Sequence, residues 1–395
     1  MESNLWRTSC FITVKVITEE MRGYKVREAW KNKFSIALYG RPIGPDRQIY
    51  LDILRVFATI FVIAVHTVSL ASSMVSAEQT SHFVLEIFYY IFISCNLLFV
   101  MISGALLLSV KTETCGTFFA KRFGRVAVPL VVYYIFYVVA KEGFMWLRPA
   151  YWKVLFLRIL MGPPEAAPHF WLIYTLLGLY VLTPFLRWIL QHIPNEVFSG
   201  VILVIFIINA LDTYAPIWGI EMSFSVIVDS YAGVFLMGYF LATKCSKRAE
   251  DLFIIGGIIS FGVSCFSILR VSGFQNYIYQ NAPTMMLFAA AIFLLVKRAT
   301  AMKKTESFVM RLICKYSFSI LLIHWGILHF IVKQVLHVDV LSGGIWGGCL
   351  LMMTLTLLLS IAGAVVVDNT FLRFLDTLAC LPRKMICSRN SMKHK

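Results

Sequence analysis

The sequence predicts an all-α, polytopic membrane protein of about ten transmembrane helices with both termini in the cytoplasm. Three observations carry that prediction: an apolar composition, ten apolar runs of spanning length, and a strong asymmetry in the placement of basic residues. Hydrophobic residues make up 59 % of the 395-residue chain and charged residues 14 %, with a mean hydropathy of +0.77. A water-soluble domain holds about half apolar and about a quarter charged residues, so most of this chain is built to dissolve in lipid. The formal net charge of +15 raises nucleic acid as a partner. The basic residues, however, cluster in short segments between apolar runs, which is the membrane pattern and argues against nucleic-acid binding.

A bilayer core takes about 17–25 apolar helical residues to cross. Runs of this kind fall at 49–70, 88–109, 126–147, 169–190, 197–213, 226–243, 252–272, 282–299, 316–335 and 344–367. The fifth is short, and the third carries Lys141 and Glu142 near its outer end. Pro129, Pro168 and Pro184 are expected near span ends, where a missing N–H is tolerated best. With the N-terminus inside, 29 of the 36 Lys and Arg residues fall on the cytoplasmic side and six on the opposite side, with Arg55 inside the first span. That bias is the positive-inside rule, and an even number of spans returns the C-terminus to the same side. The 211–229 loop, with Asp212, Glu221 and Asp229, is then acidic and external.

This divides the chain into a basic cytoplasmic tail at 1–48, a membrane domain at 49–367 and a second basic cytoplasmic tail at 368–395. The first tail shows no apolar core followed by a small-residue cleavage site, and Met21 offers an alternative initiator. It can lie on an anionic inner leaflet. The nine cysteines are odd in number and form no C-x-x-C pair, which predicts free thiols rather than disulfides or a metal site. Glycine pairs at 343–344 and 347–348 have the small-xxx-small spacing that helps a span pack. No metal-binding or nucleotide-loop motif is present.

The first span, YLDILRVFATIFVIAVH at 50–66, holds Asp52, Arg55 and His66 inside an apolar run. Ionisable groups in hydrocarbon cost several kcal/mol unless they pair or face a polar cavity. Eleven residues of helix rise about 16 Å and return to within about 20° of the same face, so Arg55 and His66 share a stripe with Asp52 and Thr59 nearby. From the residues alone two readings stand. Asp52 and Arg55 form an interfacial ion pair and His66 bonds a neighbouring helix, or the stripe lines a functional path.

The spacing in LDILRVFATIFVIAVH resembles the first-helix signature of the acyltransferase-3 family of integral membrane acyltransferases. Four further stretches follow in the family's order. FVMISGALL at 99–107 is similar to its second-span Ser-Gly pattern, and KRFGRVAVP at 121–129 to its R-x-x-R followed by proline. HFWLIYTLLGLYVLTP at 169–184 resembles a stretch of the branch related to the enterobacterial common antigen O-acetyltransferase. YSFSILLIH at 316–324 is similar to a late span. Two positions depart from the pattern: Ala105 replaces a phenylalanine, and Tyr174 and Thr175 stand where another branch carries glutamates.

The resemblance implies an O-acyltransferase, most often an O-acetyltransferase, in a bacterial inner membrane. It would take an acyl group from cytosolic acyl-CoA, usually acetyl-CoA, and pass it to a hydroxyl of a cell-envelope saccharide or lipid-linked sugar. It assigns His66 and Arg55 to catalysis, and Arg122, Arg125, Ser103 and Gly104 to acyl-CoA binding. His66 would act as general base or as acyl carrier. Arginines at i and i+3 share a helix face and match phosphate bidentately, although positive-inside topology alone also accounts for them. Arg55 would hold the donor or pair with Asp52, and Ser103 and Gly104 would admit the donor or tighten helix packing. His169 and Trp171, at the outer start of the fourth span, would meet the acceptor or anchor the interface. His324 reads as structural or as a support behind the site residues. A transporter or a sensor on the same membrane fold is the rival, since a polar stripe within a bundle is also what a substrate path looks like.

Overall fold

The computed structural model describes residues 48–76, 79–109, 113–143, 145, 148–220, 231–271, 273–301 and 307–373. The described residues form helices and connecting turns, with no strand among them. The helices are α1 Ile49–Met74, α2 Thr80–Ile93, α3 Cys95–Leu108, α4 Cys115–Glu142, α5 Pro149–Met161, α6 Trp171–His192, α7 Asn195–Tyr214, α8 Ala232–Thr243, α9 Lys247–Arg270, α10 Gln275–Ile278, α11 Pro283–Ala299, α12 Phe308–Gly326 and α13 Ile345–Val367. π-helical segments Ile327–Val335 and Asp368–Leu372 extend α12 and α13.

The described residues of all ten predicted runs lie largely on helices, but they are not ten equal spans. Eight helical segments among the described residues are long and apolar enough to cross a membrane. The other two runs form α8, of 12 residues, and α11, of 17. Residues 226–230 of the sixth run lie outside the described residues, as do Glu221 and Asp229 of the acidic loop and nearly all of both tails. The second run is two helices, α2 and α3, joined at Ser94.

Helix starts follow local chemistry. Thr114, Ser246 and Ser307 each cap a helix by accepting a hydrogen bond from the backbone N–H three residues on. Proline stands at the start of α5 and α11, where its missing N–H costs nothing. Pro129 and Pro184 lie inside α4 and α6, not near span ends. Each removes the amide proton that would bond the carbonyl four residues earlier, freeing Arg125 and Tyr180. The amphipathic helix α5 was not expected. It buries Tyr151 and Leu155 and exposes Trp152, Phe156, Leu160 and Met161.

Helix α1 is central, packing on α2, α3, α11, α12 and α13. Helices α3 and α8 approach closely at two glycines. A Cβ built on Gly104 would stand 1.9 Å from the carbonyl oxygen of Phe235, and one on Gly238 would stand 2.1 Å from that of Met101. The glycines before α13 serve turns rather than span packing. Gly343 and Gly344 adopt positive φ, and Gly348 abuts the carbonyl of Val340 in its own preceding loop.

Candidate functional site

Two cavities flank α1 and share one wall. The first, of about 430 Å³, lies toward the Arg55 end of the helix. Arg55, Ser103, Arg122, Arg125, Tyr180, Lys315 and Asp368 line it together with apolar side chains. Four of the predicted residues therefore meet, although they arrive from α1, α3 and α4. Gly104 is not among its lining residues. Its place is against the carbonyl of Phe235, where a Cβ would clash.

Arg55 donates to Asp52 at 3.4 Å and to the Cys314 sulfur at 3.3 Å, so it pairs and faces the cavity at once. Arg122 and Arg125 are different: neither forms an ion pair among the described residues. The buried Nε of Arg122 has no hydrogen-bond partner there. The one carboxylate lining this cavity, Asp368, accepts a hydrogen bond from Ser319 at 2.6 Å. With Arg55, Arg122, Arg125 and Lys315 against Asp368, the cavity suits an anion. Behind it, Arg187 is held by Leu107 O at 2.7 Å and Glu113 at 3.4 Å. Burial alone would raise the Glu113 carboxyl, but hydrogen bonds from Lys121 and Arg187 outweigh it and hold the group below the usual carboxylate range.

The second cavity, of about 600 Å³, lies around His66. Asn96, Tyr89, His169, Trp171, Tyr231, Tyr279 and Gln280 contribute to its lining. The three predicted residues His66, His169 and Trp171 thus share one space. His66 makes ring contacts with His324 at 5.3 Å and Trp325 at 4.9 Å between centroids. His169 closes the group at 4.8 Å from His324.

Backbone carbonyls fix two of the three imidazoles. His324 Nδ1 donates to Leu321 O at 2.8 Å, and His169 Nε2 donates to Leu322 O at 3.2 Å. A carbonyl can only accept, so the proton sits on the bonded nitrogen and the other nitrogen is the acceptor. Those acceptors, His324 Nε2 and His169 Nδ1, are buried without a hydrogen-bond partner among the described residues. Tyr137 ties the backbone between them. Its hydroxyl donates to Leu322 O at 3.0 Å and accepts from Gly326 N at 2.8 Å. Immediately after Gly326 the helix widens into the π segment, a feature frequent at functional sites. Among the described residues, no three His, Cys, Asp or Glu side chains converge so as to hold a metal ion.

His324 is the chief residue that sequence reasoning set aside. It is fully buried and stands between His66 and His169. The late-span motif contained it, but only the register of α12 against α1 gives it a place in the site. Tyr180 lies within the 169–184 stretch but was given no role there, and Lys315, Asp368 and Asn96 carried no sequence signal. Leu321 lines both cavities and is their common wall.

Comparison with known families gives one match. The model of the acyltransferase-3 family, described as an acyltransferase domain, matches residues 48–367. No curated protein and no solved structure matches the chain.

Proposed function

The chain belongs to the acyltransferase-3 family and is a multi-pass membrane acyltransferase, and from that premise we propose that it moves an acetyl group from acetyl-CoA to a hydroxyl of a cell-envelope saccharide. The single observation that supports this reading best is the pair of cavities on either side of Leu321. One is lined by Arg122 and Arg125, which form no ion pair among the described residues, and the other by His66. A transferase that takes a phosphate-bearing donor from one side of a membrane and an alcohol from the other needs such a division.

On this proposal the Arg122 and Arg125 end faces the bacterial cytoplasm, as the charge asymmetry favours. Guanidinium groups match phosphate oxygens in paired hydrogen bonds, so Arg122 and Arg125 hold the coenzyme A phosphates. Arg55 and Lys315 add positive charge along the same wall. The donor's thioester reaches toward Leu321. The acceptor enters the other cavity, against the aromatic faces of Trp171 and Tyr231.

His66 then acts as the general base. Among the described residues its imidazole makes ring contacts only, so a nitrogen is available to the acceptor. It removes the hydroxyl proton as the oxygen attacks the thioester carbon. The C–S bond breaks, the C–O bond remains, and the coenzyme A sulfur takes up a proton. His324 and Trp325 hold the ring in position, and Asn96 brings an amide to the same cavity. The resemblance to the common antigen branch favours a saccharide acceptor, while Tyr174 and Thr175, whose hydroxyls bond backbone carbonyls, supply none of the glutamate chemistry of another branch.

The test uses inverted membrane vesicles with acetyl-labelled acetyl-CoA, comparing wild type with His66→Ala at equal expression. Label entering a glycan or lipid-linked glycan fraction only with His66 is the expected result. Label trapped on His66 itself would replace the base mechanism with an acyl-histidine one. No His66-dependent label, with native acceptors present, would overturn the reading in favour of transport or sensing.

A further inference from the structure

A third hollow adjoins the His66 cavity. It is a groove of about 330 Å³ between the end of α7 and the α9–α11 connection. Asp212, Thr213, Asn276, Tyr277 and Asn281 line it, and Tyr279 and Gln280 line both it and the His66 cavity. The two spaces are thus neighbours across two side chains, and each is of the size ligand pockets usually have.

We propose that this groove is a second acceptor subsite, which takes an uncharged, hydroxyl-rich sugar unit next to the one acylated over His66. The inference rests on the saccharide-acceptor reading above and extends it. Three observations carry it: the lining chemistry, the anchoring of the shared wall, and the backbone on either side of it.

The lining is amide, hydroxyl and phenol, which offer both donors and acceptors to vicinal hydroxyls. Tyr277 and Tyr279 add aromatic faces. Among the described residues, no Lys, Arg or His lines the groove, and its one lining carboxyl is Asp212. A uronic acid or a phosphorylated sugar would find no cation there, whereas a neutral sugar finds partners.

The shared wall is held in place. The Tyr279 hydroxyl donates to Glu86 Oε2 at 3.1 Å, and Glu86 Oε1 accepts from Ser72 at 2.5 Å. The Tyr279 ring meets Tyr89 edge-on at 5.1 Å and Phe274 at 6.1 Å. A wall fixed by α1 and α2 lets a ligand bind without first ordering it. Gln280 has φ 56° and Tyr231 φ 56°, and both line the His66 cavity. Non-glycine residues held in that region are strained and persist where the surroundings over-determine them, often at ligand sites.

The experiment is a glycan array probed with the detergent-purified full-length protein, carrying neutral oligosaccharides and their uronic-acid counterparts. Variants are Asn276→Ala and Gln280→Ala, with Thr213→Val as a conservative third, each checked for a monodisperse profile. The expected result is binding to neutral glycans that weakens about tenfold in Asn276→Ala and Gln280→Ala, with acidic counterparts bound poorly. Equal binding of acidic glycans, signals unchanged by the groove variants, or no bound glycan would each overturn the subsite. The array needs no acyl donor and no chemistry. Failure of the transferase reading in vesicles is therefore visible separately from failure of the subsite.

Discussion

At the scale of single residues, an arginine acquires a different capacity when it faces a cavity without a carboxylate beside it. Arg158, Arg187 and Arg298 are each tied to acidic partners and serve the fold. Arg122 and Arg125 line the anion-suited cavity and form no ion pair among the described residues. Lysine keeps the charge and the topology signal but cannot present a planar fork. The double substitution Arg122→Lys with Arg125→Lys is therefore expected to raise the KM for acetyl-CoA about tenfold while changing kcat little. An unchanged KM would mean that these residues serve orientation alone. His66 makes the complementary point. The sequence marks it as a titratable group in an apolar run, but its neighbours His324 and His169 come from α12 and the turn before α6. No spacing along the chain relates them.

At the scale of elements, the contact of α3 with α8 is a close one made through glycines. Gly104 lies within a motif that also supplies Ser103, and the two residues have separate tasks. Ser103 lines the first cavity, while Gly104 lets α8 approach. Adding a methyl group at Gly104 would force the helices apart, and overpacking of this kind costs about 1–3 kcal/mol. Gly104→Ala should lower the thermal midpoint of the detergent-solubilised protein, whereas Gly116→Ala, with nothing within 4 Å of its added Cβ, should leave it nearly unchanged. Equal midpoints for the two would remove the packing account. The helix interruptions have a related logic. Pro129 and Pro184 free the carbonyls of Arg125 and Tyr180, and both residues line the first cavity. The π segment at Asp368–Leu372 sets Asp368 and Leu372 along the same wall. Helix α5 carries no spanning run because its 13 residues are too few to cross, and Lys153 and Arg158 interrupt its apolar pattern.

At the scale of the whole molecule, the bundle holds two chambers of different chemistry with Leu321 between them. Leu321 is buried on α12, one turn from the His324 imidazole that bonds its carbonyl. On the proposed mechanism the donor's acyl end must pass this side chain. Leu321→Trp should therefore leave acetyl-CoA binding near wild type while abolishing transfer to the acceptor. Equilibrium binding and labelled transfer, measured on the same vesicles, check this. Transfer that survived the bulkier residue would require another route between the chambers. Among the described residues, eight helical segments of spanning length, with α8 and α11 shorter, build this arrangement, α1 at its centre.

By itself the sequence determined the solvent, the fold class, the approximate positions of the spans and the polar stripe of α1. All of these depend on composition and on periodicities that repeat within tens of residues. Tertiary structure alone decided that Arg55, Ser103, Arg122, Arg125 and Lys315 share one chamber, and that His66, His169 and Trp171 share another with His324 beside them. It also separated Gly104 from Ser103 and gave the α9–α11 connection a place beside the His66 cavity. The physical reason is that hydropathy says which helices enter the membrane but not how they are rotated against one another. That register is fixed by close contacts between distant segments, such as Gly104 on Phe235 and Tyr137 on the carbonyl of Leu322.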